Sequence, residues 1–263
     1  MPTLTKTFAW LCAGMFSTTV LAGTPGLEEY HKAMATQEQL GQIADEVLNA
    51  DVEAIKQLPA AEKEAKAKHM LTVTSDYREQ LRASATAGFA PAQYLYAVLL
   101  KSENRMGQPP KNDRSAVCEL LNDASRQGFM AASLGRARYC NKPNSAAELL
   151  TSSDAVRASL RSDIDRQDPY GAFYPVQAFT LAECIELPTP EVLATMSQQE
   201  QLLAMQPPFM DLEQFKAEAH FQLAALEQTD NRDMAQQHLS LASEFGCYAK
   251  TVEAMQRALA RGK

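Results

Sequence analysis

The sequence predicts an all-α fold, a right-handed stack of α/α helical hairpins with an N-terminal helical cap. Three observations predict it. Alanine, leucine, glutamine and glutamate dominate and β-branched runs are absent, which favours helix over strand. A motif is echoed along the chain: Ser84 to Phe89 (Ser-Ala-Thr-Ala-Gly-Phe), Ala124 to Phe129 (Ala-Ser-Arg-Gln-Gly-Phe) and Ala242 to Cys247 (Ala-Ser-Glu-Phe-Gly-Cys). Each copy has a small residue four before its glycine (Ser84, Ala124, Ala242) and a leucine seven before it (Leu81, Leu121, Leu239). The spacing is the third observation. Gly88 and Gly128 lie 40 apart, and Gly128 and Gly246 lie 118 apart, close to three such periods. Periods in this range mark stacked helical pairs, whose extended walls bind other proteins.

The N-terminus is expected to direct export. Lys6 is the only charge before Glu28, and Phe8 to Ala22 is an apolar run too short for a spanning helix. Val20-Leu21-Ala22 places small residues at the −3 and −1 positions of a signal-peptidase site, so residues 1–22 read as a signal peptide cleaved after Ala22. The competing reading is a hydrophobic helix that is retained. The residues before Cys12 do not form a lipobox. No later segment is apolar enough to span a bilayer, so no membrane insertion is expected after cleavage. The processed chain would have 241 residues (263 − 22), with 24 basic and 32 acidic side chains, a balance of −8. That length can bury a sizeable core. The charge argues against nucleic acid and suits a basic partner.

Residues 23–80 read as the helical cap. Thr36 with Gln39 has the form of a capping box, and Asp51 can cap a short helix ending near Leu58. Pro59 at a first helical position opens a long helix. Met70, Val73, Tyr77, Leu81 and Ser84 give it one buried stripe, and Gly88 closes it from the C′ position. Residues 81–263 read as the repeat domain. Its next helix runs from Pro91 to about Leu100. A polar loop follows from Lys101 to Asn112, and Asp113 caps a helix to Gln127. Leu134 to Tyr139 belong to the helix after that. The middle, about 141–214, is a degenerate stretch broken by Pro175, Pro188, Pro190, Pro207 and Pro208, in which Asp168-Pro169-Tyr170-Gly171-Ala172 could open a helix.

Four cysteines remain after cleavage, Cys118, Cys140, Cys184 and Cys247, an even number that suits disulfides in an exported chain. If Gly128 is the turn between antiparallel helices, Cys118 lies ten residues before it and Cys140 twelve after, so the two meet. Closing that 23-residue loop would contribute about 3 kcal/mol. Cys184 with Cys247 follows only by elimination.

Several segments resemble a known family. Ala92-Gln93-Tyr94-Leu95-Tyr96-Ala97-Val98-Leu99-Leu100 is similar to the first helix of a Sel-one-like repeat, a relative of the tetratricopeptide repeat, and Ala219 to Ala224 is similar again. The family's second helix carries Asp, Ala and Ala at −15, −11 and −4 from a closing glycine. Asp113, Val117, Ala124 and Gly128 match with one substitution, as do Asn231, Ala235, Ala242 and Gly246. The resemblance covers about Leu81 to Cys140 and Phe215 to Lys263. It implies a protein-binding module without cofactor, and disulfides within a repeat in periplasmic members. Exported acidic members include immunity proteins that neutralise envelope-targeting effectors, such as phospholipases delivered by type VI secretion. Immunity is thus the first functional expectation, and an envelope assembly adaptor the alternative.

Catalytic signatures are sparse. His31, His69, His220 and His238 are scattered, and no His-Glu-x-x-His, Gly-x-Ser-x-Gly or phosphate-binding glycine loop occurs. The chain is therefore read as a non-enzyme with no metal or cofactor. His220 beside Phe221 reads as a packed or surface histidine. Lys63, Lys66 and Lys68 with Glu62 and Glu64 read as a solvated helix face. Asp163, Asp165 and Asp168 precede the aromatics Tyr170, Phe173 and Tyr174. These six are the candidate partner contacts, the acids for steering and the aromatics as anchors. The competing reading is a solvated helix end over a small aromatic core.

Overall fold

The computed structural model describes residues 23–48, 57–103, 114–141, 146–186, 188–197, 200–201 and 204–261. The described chain is predominantly helical, with two two-residue strands, and divides into two compact units, 1–89 and 90–263. The expected signal peptide, Asp51 and Asp113 lie outside the described residues.

The described residues of the first unit form a pair of helices, α1 (Leu27–Leu48) and α2 (Ala60–Thr86). Gly26 accepts a hydrogen bond from the Ser84 hydroxyl at 2.6 Å and Thr36 donates to Gln80 at 2.8 Å, so the helices run antiparallel. Thr36 does not start a helix. It sits inside α1, and its hydroxyl also bonds back to the Lys32 carbonyl at 3.0 Å, an option open to any mid-helix threonine. Tyr30 packs edge-on against Phe89, 5.1 Å between centroids. Along α2, Val73, Leu81 and Ser84 are buried and Tyr77 is half-buried, but Met70 is exposed because the first turns of α2 face solvent. Pro59 stands one residue before α2. The helix runs unbroken through residues 80 and 81.

The second unit begins with α3 (Ala90–Glu103), α4 (Arg114–Arg126) and α5 (Met130–Tyr139). Helix α3 extends three residues beyond Leu100, into the expected loop. Next come α6 (Ala146–Asp165) and a long segment, residues 166–211, here called the strap. The strap holds a 3-10 turn (Gly171–Phe173), β1 (Val176–Gln177), α7 (Pro190–Thr195) and β2 (Phe209–Met210). The strands pair antiparallel, Val176 opposite Met210. The unit ends with α8 (Leu212–Glu227), α9 (Arg232–Glu244) and α10 (Ala249–Arg261). Asp211 and Gln214 form a capping box at the start of α8, and Asn231 caps α9.

The three echoed motifs fold into the same helix ending. Gly88, Gly128 and Gly246 have φ of +95°, +91° and +90°, a backbone state that suits glycine. At each, the glycine N–H bonds the carbonyl three residues back, and the next N–H bonds the carbonyl of Ser84, Ala124 or Ala242. This paired pattern satisfies two carbonyls that a helix end leaves open. Leu81, Leu121, Leu239, Ser84, Ala124 and Ala242 are all fully buried, which is why these positions repeat.

At Gly128 the corner joins antiparallel α4 and α5. Ser125 meets Ser133 at 3.0 Å between hydroxyls, Gly135 lies against Leu121, and the sulfurs of Cys118 and Cys140 stand 2.14 Å apart. Those of Cys184 and Cys247 stand 1.99 Å apart, so both expected pairs lie at disulfide distance.

The core has two parts, and α8 serves both. Phe215, Ala219 and Leu223, one i, i+4 stripe, join Tyr94, Leu121, Phe129 and Leu160. Ala217, Phe221 and Ala224 join Leu239, Ala242, Val252 and Leu259. Each large side chain buried this way contributes about 1.5–3 kcal/mol. No described helix is long and apolar enough to cross a membrane.

Candidate protein-binding face

The six candidate contacts share one neighbourhood, but most are used inside the fold. The segment from Asp168 to Ala172 opens no α-helix. Asp168 instead lies at the N-terminus of α5, where Phe129 offers no capping side chain. Its Oδ2 accepts from the Met130 N–H at 3.0 Å and the Tyr174 hydroxyl at 2.7 Å, and its Oδ1 accepts from the Tyr170 N–H at 2.7 Å. Asp168 thus caps a helix 38 residues away in sequence, where a carboxylate complements the open N–H groups and the helix dipole. Tyr174 also accepts from Ala131 N–H at 3.2 Å, and its ring packs on Phe129 and Phe215 at 5.1 and 5.6 Å. Burial, then the adjacent Asp168 carboxylate, raise the Tyr174 phenol far above its ordinary pKa. Tyr170 donates to Gln127 at 3.0 Å and stands edge-on to Phe129. Asp163 lies between Arg136 at 3.2 Å and Arg166 at 3.5 Å, nearly buried, and accepts from Ser125. Phe173 is half-buried against Tyr170, and Asp165 is exposed.

The strap is fastened between Gln177 and Cys184 by groups that reading the sequence did not single out. Tyr94 donates to the Gln177 carbonyl at 2.7 Å, and Lys101, buried over the Phe179 ring, donates to the Phe179 carbonyl. The central fastening is Glu218, fully buried on α8. Its carboxylate accepts from the Glu183 N–H at 2.9 and 3.0 Å, from the Cys184 N–H at 2.8 Å and from the Arg138 guanidinium. Arg138 in turn donates to the Leu181 carbonyl at 3.2 Å. A buried carboxylate is tolerable only when its acceptor sites are filled in this way. The Cys184–Cys247 bond and the Tyr248 N–H, 2.9 Å from the Cys184 carbonyl, tie the strap to the start of α10. A signal for Glu218 does exist in the sequence: a lone carboxylate between Ala217 and Ala219, inside a helix apolar on two faces.

The strap also turns apolar side chains outward. Six large apolar residues are exposed among those described, and four belong to the strap: Leu181, Val192, Met205 and Phe209, between 46% and 58% exposed. Phe209 borders a groove of about 380 Å³ with Ile185, Pro188, Pro207 and Pro208. On α8 and α9, His220 and His238 stack, their Nδ1 atoms 3.2 Å apart, so one imidazole donates and the other accepts. Phe245 stacks on His220 at 5.5 Å, and His238 Nε2 is buried with no hydrogen-bond partner among the described residues. Burial holds both imidazoles below the ordinary pKa, His220 down to about 4, with Arg161 beside His238 adding to the effect. The pair is therefore neutral at pH 7, in line with a packed histidine at 220. The described residues contain no group of three or more His, Cys, Asp or Glu side chains arranged to hold a metal ion. Comparison with protein-family models, characterised proteins and solved structures finds no match for this chain.

Proposed function

We propose that this chain is an exported protein-binding module, an immunity protein that neutralises an antibacterial secreted effector by covering it. The observation that carries the binding reading is the exposure of Leu181, Val192, Met205 and Phe209, four large apolar side chains of one segment. Exposed apolar side chains supply the anchors an interface needs. The matching Gly88, Gly128 and Gly246 corners support a repeat architecture of the Sel-one-like kind, and its right-handed stacking rests on the family resemblance. The two cysteine pairs at disulfide distance suit an oxidising compartment, which agrees with a cleaved leader and a periplasmic location. The effector class, a phospholipase of the type VI system, rests on the family resemblance alone.

The test pairs capture with protection. The processed chain should retain one secreted effector from periplasmic extract, and its deletion should sensitise cells to kin carrying that effector. Met205→Asp with Phe209→Asp should abolish retention and protection while leaving the melting curve unchanged, since both side chains already face solvent. If the deletion strain resists such kin and retention instead identifies a resident envelope protein, the adaptor reading replaces immunity.

A further inference from the structure

The histidine pair stands in the weaker of the two core parts. The stronger part carries Tyr94, Phe129, Phe179 and Phe215. The part that holds α9 and α10 on α8 relies on four alanines with Phe221, Leu239, Val252 and Leu259. Local opening begins where buried apolar contacts are few. His220 of α8 and His238 of α9 cross this thin interface, 6% and 8% exposed. Their Nδ1 atoms, 3.2 Å apart, have room for one proton between them. With a proton on both, two N–H groups would meet head-on. The other nitrogen of His238, Nε2, is buried with no hydrogen-bond partner among the described residues, so a proton there would also lack an acceptor. Phe245, at the end of α9, covers the His220 ring. The charged groups facing the pair are Arg161 and Asp165 of α6 and Lys216 and Glu227 of α8, two of each sign. Glu227 is already engaged by Arg157 and Arg161, so it is not held in reserve for an imidazolium.

We propose that His220 and His238 form a reversible acid latch: neutral, the pair holds α9 and α10 on α8, and protonated, it lets that interface open locally while the rest of the unit stays folded. Opening returns both imidazoles to water, where each takes up a proton readily. Because the closed state keeps both pKa values below the ordinary 6.5, with His220 at about 4, closure is favoured at neutral pH and is lost as pH falls from 6.5 toward 4. The movement is limited at both ends of α9. Residues 228–231 join it to α8, and the Cys184–Cys247 bond ties its far end to the strap. The Tyr248 N–H bonds the Cys184 carbonyl at 2.9 Å and its hydroxyl donates to Glu186 at 2.5 Å, which hold the start of α10 to the same place. Loosened helices therefore remain tethered and close again when the protons leave.

The test is amide hydrogen exchange on the full processed chain at pH 7 and pH 5, with rates corrected for the intrinsic effect of pH. Protection of α9 and α10 should fall about tenfold or more at pH 5, while that of α3, α4 and α5 stays as it was. Returning the sample to pH 7 should restore it. His220→Asn puts an amide near the position of Nδ1 and does not titrate. His220→Phe instead fills the space beside Phe245. Each variant should lose most of the acid response, measured against its own protection at pH 7, and protection of α3 to α5 reports that the remainder is folded. Protection in α9 and α10 that is unchanged at pH 5, a loss spread evenly over all helices, or a loss that does not reverse would overturn the latch. So would an undiminished acid response in either variant, which would assign the opening to carboxylates such as Asp165 and Glu227. The outcome is independent of the effector capture above, which depends on Met205 and Phe209.

Discussion

The α4–α5 corner and the strap belong to the same unit, but different forces hold them. The corner is closed by local chemistry. Gly128 turns the chain, Ala124 and Leu121 fill the inside of the bend, and the contacts between α4 and α5 join residues at most 25 apart in sequence. Among its described residues the strap has little regular structure of its own, and distant polar groups hold it. Glu218 reaches it across 34 and 35 residues, Lys101 across 78 and Tyr94 across 83. Apolar corners lose stability gradually when trimmed, whereas a strap tied by buried charge fails abruptly when one partner is removed.

That contrast predicts an order of effects. Glu218→Ala should be the most damaging single change, costing about 3–5 kcal/mol in urea unfolding, because it leaves Arg138 and two N–H groups of the strap without their acceptor. Glu218→Gln should recover part of the loss. A Glu218→Ala chain that unfolds like the parent would remove the basis for a charge-held strap.

The disulfides sharpen the comparison. Cys184–Cys247 closes a longer loop than Cys118–Cys140, with separations of 63 and 22. Serine pairs should cost about 4 kcal/mol at the first and about 3 kcal/mol at the second on the chain-entropy estimate. Equal or reversed losses in paired melting experiments would mean that the strap is already ordered without its bond to Cys247.

Alanine at the corner glycines should be milder. A side chain at positive φ costs about 1–2 kcal/mol. At Gly246 nothing lies within 4 Å of the added Cβ, so only that strain is expected. At Gly128 the Cβ would stand 3.3 Å from Arg166 Cδ and Pro169 Cδ, at the start of the strap, so Gly128→Ala should lose more than Gly246→Ala. Matching midpoints for the two variants would show that corner and strap yield independently.

The smallest effect near neutral pH belongs to the histidine pair. The folded state holds His220 neutral, lowering its pKa from 6.5 to about 4. Its stabilisation is therefore complete above about pH 6.5 and is lost as pH falls toward 4. Asp165 and Arg161 of α6 and Lys216 and Glu227 of α8 face the pair and tune that window. Stability measured from pH 7 to 4 should fall less steeply in His220→Phe than in the parent. Parallel slopes would assign the acid sensitivity to other groups.

Some of the candidate site was legible in residues and misleading in role. Tyr170, Phe173 and Tyr174 stood out as aromatics beside acids, and they do cluster. Yet Tyr174 and Tyr170 bond Asp168 and Gln127, and Asp168 caps α5, which nothing in its local sequence announces. The outward residues Leu181, Val192, Met205 and Phe209 sit in a proline-broken stretch with no period, so no pattern marks which of its apolar residues point in.

The sequence by itself determined the helical class, the three glycine corners and the Cys118–Cys140 pairing. Each depends on residues close in the chain, where helix geometry converts spacing directly into position. Tertiary structure alone decided that Thr36 lies inside a helix, that Asp168 serves another element and that Glu218 is a buried acceptor. Those outcomes depend on which distant N–H groups and guanidiniums a fold delivers to a side chain, and on whether water is still there to compete for it.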